Sequence, residues 1–244
     1  TLAELYPGRI DLGLGRAPGT DAATMRALRR DRVETEEDFP RDVAELQRLL
    51  GPAQPGARIV AMPGAGTNVP IWLLGSSLFS AQLAAHMGLP YAFASHFAPR
   101  MLLQALQLYR QLFRPSAQLA RPYAIIGVPV IAAPTDEEAD YLASSTYQRV
   151  LGILTGDRRR LLPPVEGYAA RLQPQERAAI GDFLAAAVIG GPDTVRAGLA
   201  RLIEATGADE LMLVSDVYDP ALRLRSLDIA AQAHATLGQA AVAA

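Results

Sequence analysis

The sequence has no cysteine, so it has no disulfide, no thiolate metal site and no cysteine nucleophile. Lysine is missing as well: all 23 basic residues are arginine, which with the many alanines matches the coding bias of a GC-rich bacterial genome better than a binding signal. There is no excess of either charge. A net charge of -2 over 244 residues gives nucleic-acid binding no electrostatic support. The three histidines, His86, His96 and His234, have no metal-ligand spacing, and no metal is expected. The longest apolar run, Ala124–Pro134, is interrupted by Pro129 and falls far short of the ~20 residues needed to cross a bilayer. No secretory leader pattern stands near Thr1. A cytoplasmic location without a membrane partner is the expectation.

What is present is an ordinary globular composition, 50% hydrophobic and 20% charged, at a length that suits one or two domains. Short apolar runs alternate with amphipathic ones. Firm strands are predicted at Arg9–Gly15, Ile71–Leu74, Tyr91–Ser95, Tyr123–Ala132 and Glu210–Ser215, with a short extra strand at Arg58–Met62. Helices are predicted at Phe39–Leu50, at Ser77–Met87 closed by Gly88, and at Pro99–Phe113. A Thr135/Glu138 capping box opens another towards Leu154. Further helices are expected at Pro174–Val188, from Asp193 or Thr194 to Thr206, and at Pro220–Ala235. An irregular insertion is expected over 155–190, least regular at Thr155–Gln173. Strand and helix in alternation mean a parallel sheet with helical crossovers, either a doubly wound sheet or an eight-stranded barrel.

Parallel α/β proteins bind ligands at the carboxyl ends of their strands. Those ends carry Arg16-Ala17-Pro18-Gly19, then Gly75-Ser76-Ser77 with Ser80 one turn into the helix, then His96-Phe97, and finally Asp216. Gly75 would let a ligand approach the backbone. The helix behind it offers free N–H groups and a positive dipole end, and the serines add hydroxyls; together they suit a phosphate. Ser76 or Ser77 reads equally as a plain helix cap. Arg16 suits a phosphate dianion, or is an ordinary surface arginine. Gly13-x-Gly15 with Gly19 is not a GxGxxG fingerprint, and Leu74–Leu78 is not a GxSxG elbow. His96 is the one candidate catalytic base and reads as readily as a structural histidine. His86 and His234 read as structural or exposed. Glu34–Glu37, Glu137–Glu138 and Arg158–Arg160 read as solvated.

Four segments, in order, resemble signatures of the bacterial luciferase-like flavin monooxygenases. They are Tyr6–Gly19 (YPGRIDLGLGRAPG), Pro70–Ser77 (PIWLLGSS), Tyr91–Phe97 (YAFASHF) and Ala208–Met212 (ADELM). The resemblance runs nearly from end to end. It implies an α/β fold, the TIM (β/α)8 barrel, with residues 1–244 as a single partial barrel domain. This chain would supply strands 4–8, and the first three βα units would precede Thr1. It implies an oxidoreductase, usually a homodimer, that uses reduced FMN and O2 on a small organic substrate. NAD(P)H would serve directly or through a flavin reductase. Carried over by position, Arg16 is the phosphate-contacting arginine, and Ser76, Ser77 and Ser80 beside Gly75 are the phosphate-binding cluster. Gly15 stands beside the reactive edge of the flavin ring, where bacterial luciferase has a cysteine. His96 and Phe97 wall the ring pocket, and Thr155–Gln173 would be a lid. The alternatives are a non-catalytic flavin-binding or degenerate barrel and a deazaflavin-dependent oxidoreductase.

Overall fold

The computed structural model describes residues 1–16, 27, 38–157 and 159–242. Ala17-Pro18-Gly19, Glu34–Glu37 and Arg158 lie outside the described residues. The chain packs as two units, Thr1–Ala92 with Gln107–Tyr123, and Phe93–Leu106 with Ala124–Ala244.

The first unit holds α1 (Leu2–Leu5), β1 (Leu12–Gly15), α2 (Asp38–Leu50), β2 (Ile71–Gly75) and α3 (Leu78–Met87). It ends on β3 (Tyr91–Phe93), and the part of α4 (Leu102–Leu112) from Gln107 onward belongs to it. β1 runs parallel to β2, with Leu12 opposite Ile71 and Gly15 opposite Leu74. β3 is the other neighbour of β2. The period of two is visible in β2: Ile71 and Leu73 are buried, while Leu74 is exposed on the opposite face. α3 packs on β2 and turns Ala81, Ala84 and Ala85 inward, small side chains that let the helix come close. Tyr109 is fully buried; its hydroxyl donates to the Leu89 carbonyl at 2.9 Å and accepts from the Tyr123 N–H at 3.1 Å. The extra strand expected at Arg58–Met62 does not form. Ile59 and Met62 are 71% and 78% exposed, because an apolar run becomes a strand only where a neighbouring edge accepts it.

The second unit holds β4 (Ala124–Ala132), α5 (Asp136–Thr155), α6 (Tyr168–Arg171), α7 (Pro174–Phe183) and β5 (Val188–Gly190). α8 (Pro192–Thr206), β6 (Glu210–Val214) and α9 (Pro220–Val242) follow. β4 changes partner along its length. Ile125–Pro129 face Glu210–Val214 of β6, and Val130–Ala132 face Val188–Gly190 of β5, all parallel. Pro129, which has no N–H to give, stands at the changeover. β5 corrects the sequence reading twice. The helix expected to reach Val188 stops at Phe183, and the described strands number six, not the five expected for strands 4–8. Three residues are too few for a period of two to register, and β5 exists because the second half of β4 offers it an edge. Gly198 lets α8 close on β5; a Cβ there would lie 2.7 Å from Val188 Cγ1.

Apolar packing in this unit joins Ile131, Ala139, Leu142 and Val217, with a second group of Val150, Ile180 and Leu184. The capping box at the start of α5 is half made. Thr135 Oγ1 accepts from the Glu138 N–H at 3.2 Å, but the Glu138 carboxylate pairs with Arg225 instead of turning back. Asp136 Oδ1 accepts from the Gly191 N–H at 2.6 Å and Oδ2 from the Thr194 hydroxyl at 3.1 Å, which holds its carboxyl below the ordinary value. The last N–H of β4, that of Ala132, is satisfied by fully buried Ser226 Oγ at 2.8 Å. Ser226→Ala therefore strands a buried donor and should cost about 1–3 kcal/mol of stability, measured by denaturant unfolding. Among the described residues no helix is long and apolar enough to cross a membrane.

Candidate functional site

Within the first unit, the expected phosphate-binding residues converge where β1 and β2 end. With Gly15 opposite Leu74, the next pair in register is Arg16 and Gly75. Arg16 is exposed, and its guanidinium carbon lies 4.3 Å from the ring centroid of Phe79, in the first turn of α3. The cation thus sits at the helix end that carries partial positive charge, an arrangement that an anion would stabilise. Ser77 is the N-cap: its Oγ accepts from the Ser80 N–H at 3.4 Å. Ser80 is buried, and its hydroxyl donates to the Ser77 carbonyl at 2.8 Å and lies 3.0 Å from the Tyr91 hydroxyl. The Tyr91 hydroxyl also reaches the Ser77 carbonyl at 3.3 Å, and burial pushes its pKa up to about 12, so it stays protonated and able to donate. Ser80 and Tyr91 therefore hold the shape of the Gly75–Ser77 turn from beneath. Gly75 makes that shape possible: a Cβ there would lie 2.3 Å from Ser80 Oγ.

The face of β1 and β2 that carries Leu74 also carries Trp72, which stands opposite Gly13. Gly13 and Gly15 bring no side chain to it, and the Leu74 side chain lies over Gly13, 2.9 Å from where a Cβ would be. At Gly15 a Cβ would make only ordinary contacts, with the Leu74 carbonyl at 3.6 Å and Leu74 Cβ at 3.7 Å.

The second unit builds a separate polar group around β4 and the end of β6. Ser95 Oγ donates to the Gly127 carbonyl at 2.7 Å, and the neighbouring His96 packs on Gly127 so closely that a Cβ would lie 2.3 Å from His96 Nδ1. His96 Nδ1 is buried without a hydrogen-bond partner among the described residues, and the ring meets Phe97 edge-on at 4.8 Å. Asp216 follows β6 and pairs with Arg149 of α5 at 2.5 Å. Desolvation holds His96 below its ordinary value; Asp216 opposes that shift and Arg149 adds to it. A depressed histidine supplies stability that is present above its unfolded value, near 6.5, and is lost as pH falls through the folded one. His96 should accordingly titrate below ordinary histidine in an NMR pH titration of its ring protons. Asp216→Asn should push it lower still, and a rise in that variant would contradict the electrostatic account.

The structure thus brings Gly15, Arg16, Gly75, Ser76, Ser77 and Ser80 to one end of the first unit and places His96 and Phe97 in the second. Sequence reasoning missed Tyr91 as the partner of Ser80, and it missed Arg149. A buried tyrosine at the start of a strand reads as core. Nothing in the spacing from position 149 to position 216 announces an ion pair.

The family model described as luciferase-like monooxygenase matches residues 1–210. The uncharacterized protein YvbT of Bacillus subtilis (strain 168) is 49% identical over 95% of this chain and 69% of its own length. A luciferase-like monooxygenase of Escherichia coli (strain K12) is 46% identical over 94% of this chain and 69% of its own. Among solved structures, apo-MsnO8 aligns with a TM-score of 0.84 at 36% identity, covering 96% of this chain and 70% of that one. Two more distant structures share the fold alone. The oxygenating constituent of 3,6-diketocamphane monooxygenase from Pseudomonas putida, in complex with FMN, has a TM-score of 0.60 at 19% identity and covers 93% of this chain and 71% of that one. The coenzyme F420-dependent tetrahydromethanopterin reductase of Methanopyrus kandleri has 0.55 at 14% and covers 91% and 72%.

Proposed function

Because the chain belongs to the luciferase-like monooxygenase family, we propose that it is a flavin-dependent monooxygenase using reduced FMN and O2 on a small organic substrate. On this reading its parallel strands are part of a (β/α)8 barrel. The observation that carries the proposal is the turn at the start of α3, with Gly75 bare, Ser77 capping and the Arg16 guanidinium beside the first helical turn. These residues fit the phosphate end of FMN: the ends of β1 and β2 bring a cation, the first helix N–H groups and the Ser76 and Ser77 hydroxyls to one helix end, and Gly75 leaves the room that Ser80 fills beneath the turn.

When bound, the reduced flavin supplies the oxygen-activating chemistry. The chain's own residues bind and orient. Arg16, Ser76, Ser77 and the first N–H groups of α3 hold the phosphate, and Ser80 with Tyr91 keeps the turn in shape. Gly15 gives the ring edge a surface without side chains. His96, neutral at physiological pH, can take up and return a proton at the ring nitrogen that is not buried against Gly127. NAD(P)H, directly or through a separate flavin reductase, would supply electrons, and the active species would be a homodimer. A second reading, a deazaflavin-dependent oxidoreductase, takes its support from the F420-dependent neighbour.

The test is a titration of the chain with FMN and with riboflavin, followed by flavin fluorescence, and then O2 uptake with reduced FMN. FMN should bind at micromolar concentration and riboflavin about tenfold or more weakly, since it lacks the phosphate. Equal binding of the two would sink the phosphate site. Tight FMN binding with O2 uptake no faster than that of free reduced flavin would mean a non-catalytic flavin binder. Preference for F420 over FMN would favour the second reading.

A further inference from the structure

Between Glu45 and Asp136 the sequence has six arginines and not one Asp or Glu, in a chain whose net charge is -2. Two of the six, Arg114 and Arg121, stand on the loop that follows α4, residues 113–123, which belongs wholly to the first unit. Both are exposed, and neither makes an ion pair among the described residues. Arg110, also exposed, precedes them in the last turn of α4.

The loop has no helix or strand, yet it is pinned along its length. The Arg114 N–H donates to the Ala85 carbonyl at 2.9 Å. Ser116 Oγ donates to the Gly88 carbonyl at 2.8 Å and accepts from the N–H groups of Gln118 and Leu119 at 3.1 and 3.2 Å. The Gln118 side chain takes both backbone groups of Ile71, the first residue of β2, donating to its carbonyl at 3.0 Å and accepting from its N–H at 3.3 Å. Gly88, at φ +62, lets the loop settle on the end of α3: a Cβ there would lie 2.5 Å from the Arg114 carbonyl oxygen. A loop ordered in advance loses little freedom on binding. With Gln118 turned to Ile71, the exposed side chains between the two arginines are Pro115, Ala117 and Ala120, all small enough to let a partner come close.

Two exposed guanidiniums with no acid beside them in the chain call for a partner of opposite sign. Their planar forks match the paired oxygens of carboxylates. A long polyanion such as nucleic acid would be opposed by the net negative charge of the chain. The loop also offers no ring for a base to stack on, since Phe113 packs edge-on against Tyr109 and Tyr123 against Trp72. A folded protein can present its acid to the loop alone.

We propose that the 113–123 loop is a docking surface for a different, acidic protein, whose carboxylates pair with Arg114 and Arg121. The loop is tied to the amino end of β2, and the Gly75–Ser77 turn lies at its carboxyl end, so both can be occupied at once. The surface stands whether or not the chain binds flavin.

The experiment follows the backbone N–H signals of the chain by NMR as poly-L-glutamate is added at low ionic strength. The signals of residues 113–121 should shift saturably, and the shifts should vanish at high salt, because exposed charges are screened. Arg114→Glu combined with Arg121→Glu should weaken binding by roughly tenfold or more, and the milder pair Arg114→Gln and Arg121→Gln by about threefold or more. Shifts centred on other arginines, unchanged affinity in both double variants, or tighter binding of duplex DNA than of polyglutamate would overturn the proposal. Salt-sensitive self-association that the glutamate pair abolishes would assign the surface to a second copy of the chain and overturn it as well. Arg16→Ala should leave the 113–121 shifts unchanged. If FMN fails to bind while polyglutamate behaves as stated, the flavin reading falls and the docking surface remains.

Discussion

Arg16→Ala weakens FMN binding by about tenfold or more, the ~1.4 kcal/mol or greater expected from losing a charged phosphate contact. The effect is confined to the phosphate for two reasons. Arg16 is exposed and stands one residue beyond Gly15, level with Gly75 and over the first turn of α3, so its charge is aimed at whatever the helix end holds. Riboflavin affinity should not change, and the gap between wild type and variant should narrow at high salt, because an exposed charge is screened. Fluorescence titrations of both flavins at two ionic strengths measure all three. FMN affinity equal to wild type would move the phosphate elsewhere.

The second large effect is expected from Gly75→Ala. A methyl group there would lie 2.3 Å from Ser80 Oγ and 2.5 Å from Ser80 Cβ. Ser80 cannot turn away without giving up its bonds to the Ser77 carbonyl and the Tyr91 hydroxyl, and its Cβ cannot turn at all. The backbone must move, at a cost of about 1–3 kcal/mol in stability, as for other overpacked sites. The turn that shapes the phosphate site moves with it, so FMN affinity should fall by roughly tenfold or more as well. Gly15→Ala is the control. Its added methyl makes only ordinary contacts, and the variant should fold as stably as the parent in a thermal melt. If Gly75→Ala melts and binds like wild type, the turn is not held as tightly as its hydrogen bonds indicate.

Much of this was legible in the residues. The alternation of apolar runs and amphipathic stretches placed β2, β3, β4 and β6 to within a residue or two and β1 to within three, and Ser77 and Gly88 marked both ends of α3 as capping chemistry requires. The residues of the phosphate-site reading were visible because each lies just past a strand end, and strand ends can be read from hydrophobic patterning. Two errors share one cause. Arg58–Met62 had the composition of a strand and no neighbour, while Val188–Gly190 had a neighbour and too few residues to show a pattern. Pairing is a property of the partner, which local sequence does not contain.

The same boundary separates what each level determined. The sequence by itself determined the parallel α/β class, the family resemblance and the candidate residues, because these depend on local periodicity, capping and short motifs. Only the tertiary structure decided that β4 serves two partners in turn, that Tyr91 supports Ser80, that Gly127 seats His96, and that Arg149 joins Asp216 across 67 positions of chain. Each of those depends on long-range approach. A glycine's missing side chain, a hydroxyl's partner and a guanidinium's carboxylate acquire meaning only from the atoms that packing brings against them.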